Sequence, residues 1–574
     1  MSGKILYDVR EILDLKDMLS QSVKLFGDKT AFKLKPNKLE EKYVDISFNK
    51  YNEDITNLGT ALLNLGLKDE TINIISDNRY EWAVSYLAIV NGVGVVSPLD
   101  KALTPIEIKS LIERSNSKAV IFSNEYLDTM LELMEEPTNI VKYFICMDDV
   151  EEKKVINYSE LLKIGKTNAC NINYNDIKID NKKFSILLFT SGTTSQSKAV
   201  MLSHHNIVTN IMDCKKYLDV NSNDTTLSFL PLHHTFECTT NFLLMIYCGA
   251  TITYCDGIRH LARNIQEYGV SAMICVPILY ENMYKKLVAG IKEKGKWEMV
   301  QKATVLFNGL ESIGINTFDM KRKVFKDIYA ALSPNLRLFV SGAAPVNIET
   351  VKGFNDLGIH FFQGYGLTET SPVLAVENEK QRKPGSVGQP LPSCDIEIRN
   401  IENNIGEIWV KAPYVMLGYY HNREETAEVL KDEWLNTGDL GYLDKNGLLY
   451  IQGRKKNVIV LKNGKNIFPE ELEELLNKSQ YIIESFVYGR PNKKNDVDIF
   501  AKIVYDKATI IEEFGNIDEK EIYKIIKKEI KNIHKNIPAY KYIKDFTLTT
   551  EELIKTTTRK VKRHEELAKV LSDK

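Results

Sequence analysis

Residues 185–199 read SILLFTSGTTSQSKA, a short apolar run that passes directly into a turn of small and hydroxyl-bearing residues. The run from 185 to 190 has the length and the aliphatic and aromatic content of a buried strand. Residues 204–218, shortly after the turn, have the pattern of a helix. A buried strand that is followed by a turn and a helix is the repeating element of α/β proteins, so this stretch predicts that class.

The same alternation continues along the chain and predicts largely parallel sheets. Further strand candidates, with helix-like stretches between them, lie at residues 226–232, 250–255, 272–278 and 336–340.

The pattern changes towards the C-terminus. Residues 442–451 (YLDKNGLLYI) contain an Asn446-Gly447 hairpin signal, and Pro469 followed by two acids is typical of a helix start. A charged helix is expected over residues 518–534. We therefore predict a large, multi-subdomain α/β body over residues 1–453 and a small α+β domain over residues 454–574.

Composition excludes several classes of protein. The 75 basic and 77 acidic residues nearly cancel, so no nucleic-acid partner is expected. The eight cysteines form no C-x-x-C pair, which argues against a zinc site or a disulfide scaffold and favours a cytoplasmic protein. The N-terminus lacks the apolar core of a signal peptide. Residues 83–99 are interrupted by Asn91-Gly92 and Gly94, so they predict a buried helix and a strand instead of a transmembrane segment.

The turn at residues 190–198 (TSGTTSQSK) does not fit the pattern of a P-loop. Ser197 stands where the second glycine would be, and Ala199 replaces the hydroxyl residue that binds magnesium. Many N–H and O–H donors together with the ammonium of Lys198 nevertheless suit the phosphates of a nucleotide. Taken alone, the stretch is equally consistent with a polar surface turn.

Four more stretches resolve this ambiguity, because their order and spacing resemble the motifs of one superfamily. They are LFVSGAAP at residues 338–345, FQGYGLTETSP at 362–372, WLNTGDLGYLDKNGLLYIQGR at 434–454 and the tail KTTTRKVKR at 555–563. Together with the turn, they resemble the adenylate-forming enzymes, and the long-chain fatty acyl-CoA synthetases in particular. The resemblance extends over residues 48–563.

The resemblance implies a two-step reaction that uses a fatty acid, ATP and coenzyme A, with Mg²⁺ as cofactor. It assigns Thr190 and Glu369 to the metal and Lys560 to catalysis, as the cation that reaches the acyl carboxylate and the α-phosphate. The residues implied in binding ATP or AMP are Thr190, Ser191, Gly192, Thr193, Thr194, Lys198, Gly342, Ala343, Gln363, Gly364, Tyr365, Thr368, Asp439, Arg454 and Lys560.

The resemblance also implies a mobile C-terminal domain. Lys456 corresponds to the hinge about which this domain turns between the two steps, and Gly464 corresponds to a contact of the pantetheine arm. The chain departs from the family pattern at Ser195, Ser197 and Ala199 in the turn, and at Ile554 and Arg559 in the tail, where the family has proline and glycine.

The acid is indicated by residues 231–237 (PLHHTFE), which resemble the segment that lines the acyl pocket. His234 and Phe236 are the acyl-pocket candidates, and Glu237 stands near the position where amino-acid-activating relatives have an aspartate. A medium- to long-chain fatty acid is therefore expected. An acyl-[acyl-carrier-protein] synthetase, another acyl-AMP ligase and a nucleotide-binding pseudoenzyme stay open as alternatives, and so does a peripheral membrane contact.

Overall fold

The computed structural model describes the chain apart from residues 1–4, 36–41, 168–171, 191–196, 463–464, 493–495, 557–558 and 573–574. The described residues form two compact units. The first unit comprises residues up to 395 together with 411–433, and the second comprises 396–410 together with the chain from 434 onwards. The domain boundary after residue 453 and the mobility of the last domain stay predictions.

Helices occur throughout both units. In the described ranges, helices α1 to α19 are, in chain order, Leu15–Phe26, Phe48–Asn64, Tyr80–Ala88, Pro105–Arg114, Leu127–Met134, Tyr158–Thr167, His204–Tyr217, Leu244–Cys248, Leu261–Glu267, Pro277–Glu293, Trp297–Ser312, Phe318–Val324, Lys326–Leu332, Ile348–Asp356, Arg423–Val429, Pro469–Leu476, Lys507–Phe514, Glu519–His534 and Arg563–Ser572.

Strands alternate with these helices in the first unit. Over the same ranges, strands β1 to β27 are, in chain order, Thr30–Leu34, Val44–Ser47, Thr71–Ile75, Val95–Pro98, Ser117–Phe122, Tyr143–Cys146, Ile156–Asn157, Phe184–Thr190, Lys198–Ser203, Thr225–Ser228, Thr251–Tyr254, Ala272–Cys275, Leu338–Ser341, His360–Gly366, Val373–Val376, Gln389–Pro390, Asp395–Glu402, Ile405–Lys411, Gly418–Tyr419, Leu430–Lys431, Trp434–Leu443, Leu449–Arg454, Ile459–Val460, Asn466–Ile467, Ile482–Pro491, Val497–Tyr505 and Ile543–Thr549.

Two large sheets form the first unit. One has the strand order β16-β15-β14-β13-β12-β10-β11-β1-β2, and its central strands from β14 to β1 are parallel. The other has the order β19-β9-β8-β4-β3-β5-β6-β7 and is parallel from β8 to β7. The predicted α/β class with largely parallel sheets is confirmed.

The predicted strands differ at their ends from those of the structure, by one residue for 185–190 and for each end of 250–255. Local chemistry explains two of the three larger differences. The run predicted over 226–232 ends at Ser228, because the backbone of Leu230 and Leu232 bonds the side-chain amide of Asn78 instead of a neighbouring strand. The run predicted over 272–278 ends at Cys275, because Pro277 begins α10. The run predicted over 336–340 is β13, two residues later at its start and one at its end.

In the second unit, strands β17, β18, β21 and β22 belong to one sheet. The predicted hairpin at Asn446-Gly447 joins β21 to β22, which pair antiparallel. A separate three-stranded sheet, β25-β26-β27, packs its apolar side chains against α16 and α18. The small α+β fold predicted for the C-terminal end of the chain is therefore confirmed.

The apolar segment at residues 83–99 is buried inside the first unit. It forms the end of α3, a π-helical turn over Ile89–Val93, and then β4, as predicted. Among the helices that the structure describes, none combines the length and the apolar character needed to cross a bilayer.

Candidate active site

The carboxyl ends of three adjacent parallel strands bring the predicted nucleotide residues together. Cys275 and Ser341 are register partners at the ends of β12 and β13, and Ser341 pairs in turn with Gln363, where the parallel pairing of β14 ends. The residues after β13 and at the end of β14 therefore share one edge of the sheet, the usual ligand-binding edge of α/β folds. They include Gly342, Ala343, Gln363, Gly364 and Tyr365.

Gly342 lies directly against a predicted acyl-pocket residue. A Cβ atom at Gly342 would stand 2.8 Å from Cζ of the Phe236 ring, so the ring occupies the space that any other side chain would need. The next residue, Ala343, has a φ of 73°, a left-handed conformation that is uncommon for alanine. The fold therefore brings an aromatic side chain of the predicted acyl segment to the sheet edge that carries the predicted nucleotide residues.

A second contact joins the same two segments. The hydroxyl of Thr235 donates to the hydroxyl of Thr368 across 3.4 Å. Thr368 begins the short 3₁₀ turn that also carries Glu369. His234, the other acyl-pocket candidate, accepts a hydrogen bond at its Nδ1 from the backbone N–H of Phe236, over 3.2 Å, and so fixes the turn before that ring.

Glu377 supports the strand that carries Gln363 and was not predicted from the sequence. Its carboxylate accepts hydrogen bonds from the backbone N–H groups of Gln363 (3.0 Å) and Lys383 (3.1 Å). Burial raises the pKa of Glu377 to about 7, and these hydrogen bonds oppose the rise. Glu377 therefore holds the end of β14 in place from within the first unit.

Glu369 is held by a residue that the sequence analysis did not single out. The hydroxyl of Tyr419 donates to Oε1 of Glu369 over 3.0 Å, and the backbone carbonyl of Glu369 accepts from the N–H of Met416 over 2.8 Å. Tyr419 lies on β19, which pairs with β9 at the register Tyr419↔Val200.

Lys198 contacts the ring of the same tyrosine. Its ammonium lies 4.7 Å from the centre of the Tyr419 ring and forms an ion pair with Glu425 on α15. Across the β8–β9 hairpin, Lys198 is the register partner of Thr190. Thr190, Lys198, Tyr419 and Glu369 thus form one connected series.

Arg114 holds the chain just before Lys198. Its guanidinium donates to the carbonyl of Ser197 over 2.6 Å and lies 5.3 Å from the centre of the Phe189 ring. The ends of the hydroxyl-rich turn are therefore anchored from α4 and α15. The predicted phosphate-binding residues Ser191, Gly192, Thr193 and Thr194, and the departure at Ser195, lie outside the described residues.

The donor set of the first unit fits Mg²⁺. Mg²⁺ prefers oxygen ligands and is commonly held by one or two carboxylates together with substrate phosphates. Glu369 offers a carboxylate and Thr190 a hydroxyl. Within the described ranges, no three His, Cys, Asp or Glu side chains form a metal cluster.

The second unit brings two further predicted residues together. Asp439 and Arg454 are register partners on β21 and β22, and Nε of Arg454 lies 2.9 Å from Oδ1 of Asp439. The Asp439 side chain is buried, whereas Arg454 is exposed. A buried carboxylate whose position is fixed by a guanidinium is a suitable acceptor for two neighbouring hydroxyls.

The residues predicted for domain motion also lie in the second unit. Lys456 occupies an exposed 3₁₀ turn over Lys455–Asn457, directly after β22. The preceding Lys455 is fixed by an ion pair of 2.7 Å with Glu407. Gly464, the coenzyme A candidate, lies outside the described residues.

The C-terminal tail distinguishes Lys560 from its basic neighbours. Lys555 is mostly buried in ion pairs with Glu484 (2.6 Å) and Glu552 (3.0 Å), whereas Lys560 is exposed. The backbone N–H of Lys560 bonds the hydroxyl of Thr556 over 3.2 Å. Arg559, which replaces the family's glycine, has a φ of 64°, the left-handed region that glycine adopts most readily. Arg559 therefore has the backbone conformation that a glycine at this position would favour.

Glu237 is fully buried beside the acyl candidates. Its Oε1 accepts from Ser228 (2.6 Å) and Asn241 (2.8 Å). Burial raises the pKa of Glu237 to about 8, against the effect of those hydrogen bonds. At neutral pH this side chain is mainly uncharged, so it offers little attraction to an ammonium group.

Comparisons with known proteins agree with the resemblance of the sequence motifs to adenylate-forming enzymes. A family model described as AMP-binding enzyme matches residues 19–420. Long-chain-fatty-acid–CoA ligase 5 of Mus musculus is 31% identical over 486 residues, which cover 79% of this chain and 70% of the mouse protein. The chloroplastic long-chain-fatty-acid–[acyl-carrier-protein] ligase AEE15 of Arabidopsis thaliana is 25% identical over 555 residues, which cover 83% of this chain and 75% of the plant protein.

A solved structure shows the same fold. O-succinylbenzoate coenzyme A synthetase of Bacillus subtilis, in complex with ATP and magnesium ion, superposes with a TM-score of 0.72 at 20% sequence identity. The match covers 96% of this chain and 99% of the Bacillus chain. The predicted architecture of a body with large parallel-rich sheets and a small C-terminal domain is that of the solved enzyme.

Proposed function

The chain belongs to the AMP-binding enzyme family of acid–thiol ligases, and we propose that it is a fatty acyl-CoA synthetase. In the first step, an oxygen of the fatty acid carboxylate attacks the α-phosphorus of ATP, and pyrophosphate leaves with the bonding electrons. In the second step, the thiolate sulfur of coenzyme A attacks the acyl carbonyl, and AMP leaves with the electron pair of the former acyl–phosphate bond.

One observation carries this proposal. The ring of Phe236 contacts Gly342, and Thr235 bonds Thr368, so the acyl segment and the nucleotide motifs meet at the same sheet edge. An enzyme that joins a carboxylate to an α-phosphate needs such an arrangement, because the two reacting groups must be held in contact. Tyr365, on the same edge, would offer its ring to adenine.

We propose that the hydroxyl-rich turn and Lys198 bind the pyrophosphate portion of ATP. Lys198 needs a fixed position to serve as a phosphate-binding cation. Tyr419 and Glu425 supply it, through the ring face and the ion pair. Because Tyr419 also bonds Glu369, it would set the relative positions of the phosphate cation and the metal carboxylate.

Thr190 and Glu369 would hold Mg²⁺. When bound, this ion neutralises charge that grows on the phosphate oxygens. The role of Tyr419 in that arrangement is to restrain the carboxylate of Glu369 before any ion arrives, since a ligand already in place loses less freedom on binding.

The residues of the second unit take the remaining roles. We propose that Asp439 accepts hydrogen bonds from the ribose hydroxyls, with Arg454 holding its carboxylate. Lys560 would stabilise the negative charge that builds up between carboxylate and α-phosphate in the first step. Lys456 would be the hinge for the second step, and Gly464 would contact the pantetheine arm.

The substrate acid is proposed to be a medium- to long-chain fatty acid. The mainly uncharged Glu237 and the aromatic Phe236 favour an apolar acyl group over an amino acid. An acyl-[acyl-carrier-protein] synthetase is the second candidate, since the plant relative is named for that reaction. The pseudoenzyme hypothesis has no comparable support, because the matched relatives are named as ligases. The expected cytoplasmic location remains part of the proposal.

The experiment measures acyl transfer from ATP and palmitate, octanoate or acetate, first to coenzyme A and then to holo-acyl-carrier protein. We expect palmitoyl- or octanoyl-CoA and AMP, with little product from acetate. Transfer to the carrier protein alone would favour the second candidate. The Glu369→Gln variant serves as the inactive control, because a neutral amide is a poor Mg²⁺ ligand.

A further inference from the structure

Helix α11, over Trp297–Ser312, presents apolar side chains to solvent. Met299, Leu306 and Ile313 are spaced by seven residues, so they follow one line along the helix and its C-terminal end. Their exposed fractions are 52%, 62% and 73%, and that of the neighbouring Val305 is 74%. Single exposed apolar residues are common, whereas several on one side of the same helix are typical of an interaction surface.

A neighbouring face of α11 is packed against the first unit. Val300 and Phe307 are buried, and the Phe307 ring lies 6.0 Å from that of Phe325. Asn308 also donates a hydrogen bond of 3.0 Å to Asp356 on α14. The exposed row therefore belongs to a helix that is fixed on the first unit.

The surroundings of this row are basic. Residues 277–332, which contain α10 to α13, carry ten basic and six acidic residues, a net charge of +4 in a chain whose total charge is −2. Lys302 lies on the exposed face of α11 and pairs with Glu298 over 3.7 Å. Lys294 and Lys296 lie exposed just before the helix, and Lys296 pairs with Asp327 over 2.7 Å. Trp297, at the start of α11, is partly exposed, with the ammonium of Lys292 5.8 Å from its ring.

We propose that this surface, made of the exposed face of α11 and the lysines around it, docks the protein on an anionic lipid bilayer. Apolar side chains on one face of a surface helix, flanked by lysines and a tryptophan, are the features of helices that lie in the bilayer interface. The lysines would attract anionic headgroups, and the apolar row would enter the acyl boundary. This inference goes beyond the proposed reaction and does not depend on it.

A second copy of the chain is the less favourable occupant. Two such surfaces placed face to face would bring together two segments that each carry a net charge of +4, and like charges oppose association. An anionic bilayer instead offers opposite charge to the lysines and apolar chains to the row on α11.

The test is flotation of the full-length protein, without substrates, on vesicles of phosphatidylcholine alone or mixed with phosphatidylglycerol. We expect binding to the mixed vesicles, weak binding to phosphatidylcholine alone, and release as salt is raised. The double variant Leu306→Ser/Ile313→Ser should bind the mixed vesicles about tenfold more weakly. Its pyrophosphate exchange with soluble octanoate and its circular dichroism should match those of the unmodified protein.

The matched control is Ile106→Ser, which removes an apolar side chain that is 81% exposed on α4, outside this surface. It should bind vesicles like the unmodified protein. The proposal is overturned if the unmodified protein fails to float, if the double variant floats equally well, or if phosphatidylcholine alone binds it as strongly. Self-association that the double variant abolishes, without vesicle binding, would identify a second copy as the occupant and would also overturn it.

Discussion

The hydroxyl of Tyr419 donates a 3.0 Å hydrogen bond to the carboxylate of Glu369, while the ring of the same tyrosine lies 4.7 Å from the ammonium of Lys198. A single side chain thus touches both the proposed metal ligand and the proposed phosphate-binding cation. Its backbone is fixed by pairing between β19 and β9. Tyr419 therefore fixes the positions of these two side chains relative to each other.

Tyr419→Phe should weaken binding of Mg²⁺ with ATP and leave the ring under Lys198. A hydrogen bond to a charged group contributes about 1.5–3 kcal/mol, so we expect the affinity for Mg²⁺–ATP to fall by about tenfold to a hundredfold. Calorimetric titration with a non-reacting Mg²⁺–ATP analogue measures this without turnover. Tyr420→Phe is the control, since Tyr420 packs on Phe184. Equal losses in both variants would contradict the assigned role.

The sequence predicts most residues of this candidate site but not the contacts between them. Motif resemblance pointed to Thr190, Lys198 and Glu369 as separate residues, because each lies in its own stretch. Tyr419 and Glu425 lie in the stretch GYYHNREE at 418–425, where nothing local shows that a tyrosine and an acid face the earlier strands. Only the pairing of β19 with β9 brings them there.

Gly342→Ala should impair adenylation, because its new methyl group would press on the Phe236 ring at 2.8 Å. The ring must then shift away from the nucleotide edge, and small displacements of reacting groups lower rates by about a hundredfold. Fatty-acid-dependent pyrophosphate exchange measures the loss. The double variant Gly342→Ala/Phe236→Leu should recover part of the rate, since it removes the clash. A single variant with normal exchange would show that the contact has no part in the reaction.

Glu237→Gln should alter the pH dependence of stability. The pKa of Glu237 is raised from 4.5 to about 8, so between these values the folded chain holds a proton that the unfolded chain has released. This carboxyl therefore contributes most stability below pH 4.5, and its contribution falls as the pH rises to about 8. The fall amounts to at most about 1.4 kcal/mol per pH unit.

Glutamine at position 237 keeps an oxygen that can accept hydrogen bonds from Ser228 and Asn241, and its amide does not ionise. The unmodified protein should thus lose stability relative to Glu237→Gln between pH 5 and pH 8, as read from denaturation midpoints. A constant difference between the two proteins over that range would mean that Glu237 is ionised in the fold.

The fold itself was predictable where the apolar runs are strong. The alternation of strand and helix and the Asn446-Gly447 hairpin follow from local chemistry, and both are present. The end of β10 was not predictable, since it depends on the amide of Asn78, which is remote in sequence. The π-helical turn over Phe236–Leu243 carries Glu237, and the periodicity of that stretch gives no sign of it.

Lys560→Ala should separate the two half-reactions. The variant should lose about 10²–10³ in the rate of ATP–pyrophosphate exchange, the effect of removing one preorganised charge contact. Thioester formation from presynthesised acyl-adenylate and coenzyme A should survive. Lys562→Ala is the control, because Lys562 pairs with Glu565 over 3.0 Å in the last helix. If both steps survive in Lys560→Ala, another basic side chain must supply the positive charge.

The most direct test of the proposed function is exchange of labelled pyrophosphate into ATP by the purified protein with Mg²⁺ and without coenzyme A. Acyl-adenylate formation is reversible and precedes the thiol step, so exchange requires the acid, ATP and the metal alone. We expect exchange that appears only when palmitate or octanoate is added and that disappears in Glu369→Gln. Exchange without any acid, or no exchange with fatty acids while an amino acid or aromatic acid supports it, would contradict the assignment as a fatty acyl-CoA synthetase.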